Sequence, residues 1–139
     1  MEHPDFIGVK IALFCKDKLL VYLRDNKENL QYANMWDFPG GGRENNESPL
    51  ECIIREVAEE FSIILKSDAI LYSREYPADR DPSRKGYFMA ANISEEDIKN
   101  IKFGDEGQRW QLMTPEEFLS SPNATPFLKG RLKDFLDRA

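Results

Sequence analysis

The sequence predicts an α/β (α+β) fold on a mixed β-sheet, and three observations carry that expectation. Short apolar runs recur with hairpin-like spacing, at residues 7–14, 19–23, 69–76, 86–93 and 109–113. A single long amphipathic helix follows a run of glycines in the first half of the chain. Two further helical stretches close the C-terminal end, residues 114–120 and 126–138.

Residues 7–14 read as a strand, with a turn at Lys16-Asp17-Lys18 and a second strand at 19–23. Arg24 ends that strand and opens the polar loop DNKENLQYAN, long enough to bind something or to be idle surface. Trp36-Asp37-Phe38 is a short strand that breaks at Pro39 and runs into the glycine turn Gly40 to Gly42. The helix after it has a complete start signal: Ser48 as N-cap, Pro49 at the first helical position and Glu51 for a capping box. Leu50, Ile53, Ile54, Val57 and Phe61 recur at helical spacing and predict one buried face. Residues 69–76 and 86–93 are strands flanking the charged turn PADRDPSRK, in which Arg80, Arg84 and Lys85 form a basic cluster. That cluster reads either as solvated loop or as a phosphate contact or lid. Ser94 caps a helical turn, and Thr114-Pro115-Glu116-Glu117 opens a short helix after the last strand. Phe127, Leu128, Leu132, Phe135 and Leu136 share the apolar face of the final helix.

The chain has 139 residues, 41% apolar and 32% charged, which suits one domain with its own core. Its net charge is −6, so most of its surface repels a polyanion and a nucleic-acid polymer is not the expected ligand. Cys15 and Cys52 lie in apolar patterns and form no metal-spaced pair; buried free thiols in a reducing cytoplasm are expected. The N-terminus MEHPDF lacks a signal-peptide pattern, and no apolar run is long enough to span a membrane. No internal repeat is visible.

Glu56, Glu59 and Glu60 stand at i, i+3 and i+4, so their carboxylates share the second face of the long helix. Such a face is either plain acidic surface or a seat for a divalent cation, which would relieve the mutual repulsion. With His3 the only histidine, neither a histidine base nor a Ser-His triad has support. Carboxylates alone are hard oxygen ligands, suited to Mg²⁺ or Mn²⁺ rather than Zn²⁺, and magnesium so held commonly binds substrate phosphates.

Spacing decides between surface and site. From Gly41, five residues lead to Glu47, seven more to Arg55-Glu56, then Val57, one residue, and Glu59-Glu60. Those six identities at fixed offsets arise by chance on the order of 10⁻⁷ per starting position at average residue usage. The stretch 41–63 resembles the Nudix box, the signature of the Nudix hydrolases, and departs from it only at Ser62, where the box has glycine. The departure falls at the helix exit, a left-handed position that glycine adopts cheaply.

The resemblance implies an α/β/α sandwich with the box as a loop-helix-loop, and a single Nudix domain over residues 1–139. It implies hydrolysis of a nucleoside diphosphate linked to another group, with Mg²⁺, or Mn²⁺ in its place. By matching position, Glu56, Glu59 and Glu60 would be metal ligands, with the Gly40 carbonyl completing the shell. Glu47 and Arg55 would hold the loop against the helix and orient the ligands. Glu44 and Glu51 lie outside the pattern and read as solvated and capping. The general base is a box glutamate such as Glu59, or Glu106, which resembles the distal metal-linked glutamate of MutT-like members; a charged turn is the plain alternative for Glu106. Arg24 matches a substrate-contacting arginine, or is a solvated loop cation. Gly41 would let backbone approach the substrate, Phe38 is either core or a base-stacking ring, and Asn123 matches a base-reading asparagine after a one-residue insertion, or is a turn residue.

The expected activity is conversion of a nucleoside triphosphate, an oxidised one such as 8-oxo-dGTP included, to monophosphate and pyrophosphate. ADP-ribose, a dinucleoside polyphosphate or an RNA 5′ end are alternative substrates. A catalytically silent, nucleotide-sensing domain would be expected to have lost box glutamates, and all four are present. The expected partner is a small nucleotide, with no membrane, and the chain acts as monomer or homodimer.

Overall fold

The computed structural model describes residues 5–138; His3 lies outside them. Strands β1 (Phe6–Cys15) and β2 (Lys18–Leu23) form a hairpin around Lys16, which takes φ 58 at the turn. They pair only at Phe14↔Leu19 and Cys15↔Lys18, and then diverge. The segment from Trp36 to Gly42 fills the resulting wedge. Its first part, β3 (Trp36–Asp37), pairs with β2, and its second, β4 (Gly40–Gly42), pairs with β1 at Gly8 to Lys10. The glycines expected as a turn are thus a strand. The bare backbone permits it: at Gly40 (φ 137) a Cβ would collide with the Val9 carbonyl.

Helix α1 (Pro49–Phe61) starts as expected, with both hydrogen bonds of the Ser48–Glu51 capping box present. It ends on Ser62 in the left-handed conformation at φ 59, so serine takes the place usually given to glycine. A 3₁₀ turn (Ser67–Ala69) leads into β5 (Ile70–Pro77), which forms an antiparallel hairpin with β6 (Lys85–Asn92). β6 runs parallel to β1 from Phe6 to Phe14, which makes the sheet mixed. Helix α2 (Glu95–Lys99), strand β7 (Arg109–Met113), which pairs with β2, and helices α3 (Pro115–Ser120) and α4 (Pro126–Leu136) complete the chain.

Alternation along β1 divides the core into two layers. Val9, Ile11 and Leu13 join Ile53, Val57 and Phe61 of α1 on one face. Ala12 and Phe14 join Phe118 of α3 and Leu128, Leu132 and Phe135 of α4 on the other. The result is the expected α/β/α arrangement, and each buried Leu, Ile or Phe contributes about 1.5–3 kcal/mol. Both cysteines are buried and free, and burial pushes the Cys52 thiol up to about 12. No helix among the described residues is long and apolar enough to cross a membrane.

Candidate active site

The sheet wedge and α1 together build the site. β4 lies against α1, so the helix presents its carboxylates to bare glycine backbone. The Gly40 N–H donates to Glu60 Oε1 at 3.0 Å, and a Cβ on Gly41 would overlap the Glu56 carboxylate. Arg55 holds the assembly from the other side. Its Nε and Nη2 grip Glu47 Oε2 and Oε1 at 2.6 and 3.0 Å, a bidentate pair. Nη2 also donates to the Gly42 carbonyl at 2.9 Å, and Nη1 to Glu59 Oε1 at 3.0 Å. Glu47 in turn accepts from the Glu44 N–H, and the Arg55 guanidinium holds its carboxyl below the usual range. Glu44 is exposed, as expected, and in addition pairs with Arg55 at 3.3 Å.

Burial pushes the Glu60 carboxyl up to about 8, with Glu56 and Asp37 adding to the rise and Lys10 opposing it. Burial likewise raises Glu56, with Glu59 adding to it and Arg55 opposing. Two adjacent carboxyls that resist ionisation, beside a third, form a face whose charge a cation would stabilise. Among the described residues, no three His, Cys, Asp or Glu side chains converge into a metal cage by themselves. One or two carboxylates completed by water and phosphate is the ligation magnesium prefers, so the donor set fits a hard divalent ion.

Glu106 sits in the exposed loop before β7, which caps the end of α1: Lys102 N–H donates to the Phe61 carbonyl and Gly104 N–H to the Glu60 carbonyl at 2.8 Å. The Glu106 charge lies close enough to Glu56 to contribute to its raised carboxyl. The loop and the end of the box helix are therefore neighbours.

Beside the glycine strand opens a cavity of about 260 Å³. Gly41, Lys10 and Arg24 line it, together with Tyr32, Asp79, Phe127 and Arg131. Arg24 is in the wall, yet its guanidinium is committed: Nη1 donates to Asp37 Oδ2 at 2.9 Å and Nε to the Gln31 carbonyl at 3.1 Å. Phe38 is not in the cavity. It is fully buried and stacks on Phe118 at 4.5 Å, because Pro39 turns the chain after the ring has entered the α3–α4 layer. Asn123 also lies off the cavity; its carbonyl accepts from the Trp36 N–H at 2.7 Å, tying the α3–α4 link to β3, and its side chain is exposed.

The polar heart of the wall escaped the reading of the sequence. Asp37 is buried, and its Oδ2 accepts from Lys10 Nζ, Arg24 Nη1 and the Tyr22 hydroxyl. Burial disfavours the Lys10 ammonium, but Asp37, Tyr22 and Glu60 outweigh it and raise its pKa. A lone lysine within the apolar run GVKIALFC was the available signal. Other parts of the wall rest on long-range contacts without such a signal: the Tyr32 hydroxyl donates to Asp79 at 2.7 Å, and Arg131 donates to the Pro77 carbonyl while lying over the Tyr76 and Phe127 rings.

The family model of the NUDIX domain matches residues 6–135. The fold is similar to that of the MutT protein from Methanosarcina mazei Go1, with a TM-score of 0.72 at 20% identity over 99% of both chains. It is also similar to an Ap4A hydrolase from C. elegans, with a TM-score of 0.71 at 15% identity, covering 93% of this chain and 95% of that one. An 8-oxo-dGTP diphosphatase of Proteus vulgaris is 28% identical over 57 residues, 41% of this chain; the match spans about half, 51%, of that protein's length.

Proposed function

The chain belongs to the NUDIX domain family, and on that footing we propose that it is a magnesium-dependent pyrophosphohydrolase that converts a nucleoside triphosphate to the monophosphate and pyrophosphate. The observation that carries this reading is the placement of Glu60 and Glu56 against the bare backbone of Gly40 and Gly41, with Gly41 also in the wall of a nucleoside-sized cavity.

Glu56, Glu59, Glu60 and the Gly40 carbonyl would hold the ion, with Glu106 beside them. When bound, the ion supplies charge stabilisation at the phosphoryl oxygens and a more acidic water. The remaining work belongs to the chain. Arg55 keeps Glu59 in place and is itself fixed by Glu47. A carboxylate oxygen of Glu59 or Glu106 takes the proton of the attacking water. One phosphorus–oxygen bond to water forms and one anhydride bond breaks, with the electron pair leaving on the pyrophosphate oxygen. Gly41 and Gly42 admit the phosphates close to the backbone, and Arg24 faces them from the wall.

Tyr32 and Phe127 offer ring surface to a base, with Gln31 and Asp79 as hydrogen-bonding edges. A polar edge in a walled cavity discriminates strongly between hydrogen-bonding patterns, which supports an oxidised or otherwise modified purine over the normal one. A panel of nucleotides assayed for pyrophosphate and phosphate tests the proposal. Triphosphate turnover that stops with chelator is expected. Much faster turnover of ADP-ribose or a dinucleoside polyphosphate would replace the substrate and keep the family.

A further inference from the structure

A second open groove, about 660 Å³, continues from the cavity past Gly42, sharing Ile7, Gly42 and Arg80 with it. It lies toward the Phe6 end of β1. Arg43, Arg80 and Arg84 line it, an unusual gathering in a chain of net charge −6. Their acidic neighbours are accounted for. Asp81 is held within its own turn by the Ser83 N–H and hydroxyl, at 3.2 and 2.6 Å. Asp5 pairs with Arg84 at 2.7 Å. Arg43 donates to the Glu47 carbonyl and lies over the Phe6 ring at 4.4 Å, so its charge is positioned but not neutralised by a direct partner. Arg80, on the edge joining groove and cavity, makes no hydrogen bond or ion pair among the described residues.

We infer that this groove is the subsite for the terminal phosphates of the substrate, which leave as pyrophosphate, with Arg80 as the principal contact and Arg43 as its support. The inference rests on the proposed reaction. With the nucleoside in the cavity and the reacting phosphorus beside Gly41 and the carboxylates, the rest of the phosphate chain must continue away from the cavity. The groove past Gly42 receives it. Guanidinium groups match phosphate oxygens in geometry as well as charge, and uncompensated ones favour the dianionic end of the chain.

Inorganic pyrophosphate is the probe, titrated by calorimetry into the magnesium-loaded protein and also assayed as a product inhibitor. Arg80→Ala should weaken pyrophosphate by roughly tenfold or more, the usual weight of a charge-assisted hydrogen bond. Tm should not change, nucleoside monophosphate affinity should fall less than pyrophosphate affinity because Arg80 also borders the cavity, and Arg80→Lys should retain part of the pyrophosphate affinity. Unchanged pyrophosphate binding in Arg80→Ala, or no pyrophosphate binding at all by the parent protein, overturns the inference. So does a variant impaired for a dinucleoside polyphosphate but not for pyrophosphate, since the groove would then hold a second nucleoside. Failure of the proposed reaction looks different: no triphosphate is turned over, whatever pyrophosphate does.

Discussion

Arg24 donates from Nη1 to the buried Asp37 Oδ2 across 2.9 Å, and that bond holds its guanidinium in the cavity wall. The same oxygen accepts from Lys10, so one carboxylate restrains two cations that would otherwise repel. Asp37→Asn leaves both uncompensated and should cost about 3 kcal/mol in chemical denaturation, the lower end for broken buried pairs because both cations keep some solvent contact. Arg24→Ala should raise KM more than it lowers kcat, since its contact to substrate would be present before and during reaction. A kcat effect with normal KM would show that Arg24 acts on the transition state alone.

Glu59→Gln and Glu60→Gln should each lower kcat by at least about 10²-fold, because positioning the metal supplies several kcal/mol of transition-state stabilisation. The metal-free Tm should hold or rise, since each change removes negative charge from a self-repelling face. Normal turnover by both variants would remove the metal-site assignment.

The raised Glu60 carboxyl has a consequence for metal-free protein. Its value in the fold, about 8, lies above the ordinary carboxylate value of 4.5. Its protonated form therefore favours folding at low pH, and that contribution is lost as pH climbs from 4.5 through about 8. Glu56 acts in the same direction. Denaturant unfolding in chelator should show stability declining over this window relative to Glu60→Gln, whose curve should be flatter. Parallel curves for the two proteins would contradict the burial of that carboxyl.

Arg55→Ala removes the group that joins Glu47, Glu59 and the Gly42 carbonyl. A lower Tm and a raised magnesium requirement should appear together, because one guanidinium serves both the loop–helix junction and a ligand's orientation. Normal values of both would make it an ordinary surface charge.

Ser62→Gly should stabilise the protein by about 0.5–1 kcal/mol, the order of the cost of a left-handed residue with a side chain, less the entropy glycine adds to the unfolded chain. The helix exit tolerates serine because its N–H still donates to the Ala58 carbonyl and its hydroxyl reaches the Lys102 carbonyl at 3.4 Å. Thermal melts with and without magnesium read this directly, and a lowered Tm would show that the hydroxyl contact outweighs the strain.

The sequence by itself determined the parts of this protein whose geometry is local. The capping box at Ser48–Glu51, the buried stripe of α1 and the shared face of Glu56, Glu59 and Glu60 follow from helical periodicity, which needs no distant partner. The spacing from Gly41 to Glu60 carried the family for the same reason. Only the tertiary structure decided what faces that helix. Alternation in Phe6–Cys15 shows a strand with two buried faces, but not that β2 peels away to admit Trp36–Gly42 or that Lys10 meets Asp37 27 positions on. Phe38 and Asn123 illustrate the limit: each stands near the motif in space or pattern, yet packing turns one ring into the core and leaves the other side chain outside the cavity. The cavity joins segments 48 residues apart at Gln31–Asp79 and 54 apart at Pro77–Arg131. Such contacts form only when the sheet closes, because a loop's polar residues carry no periodicity that names a partner.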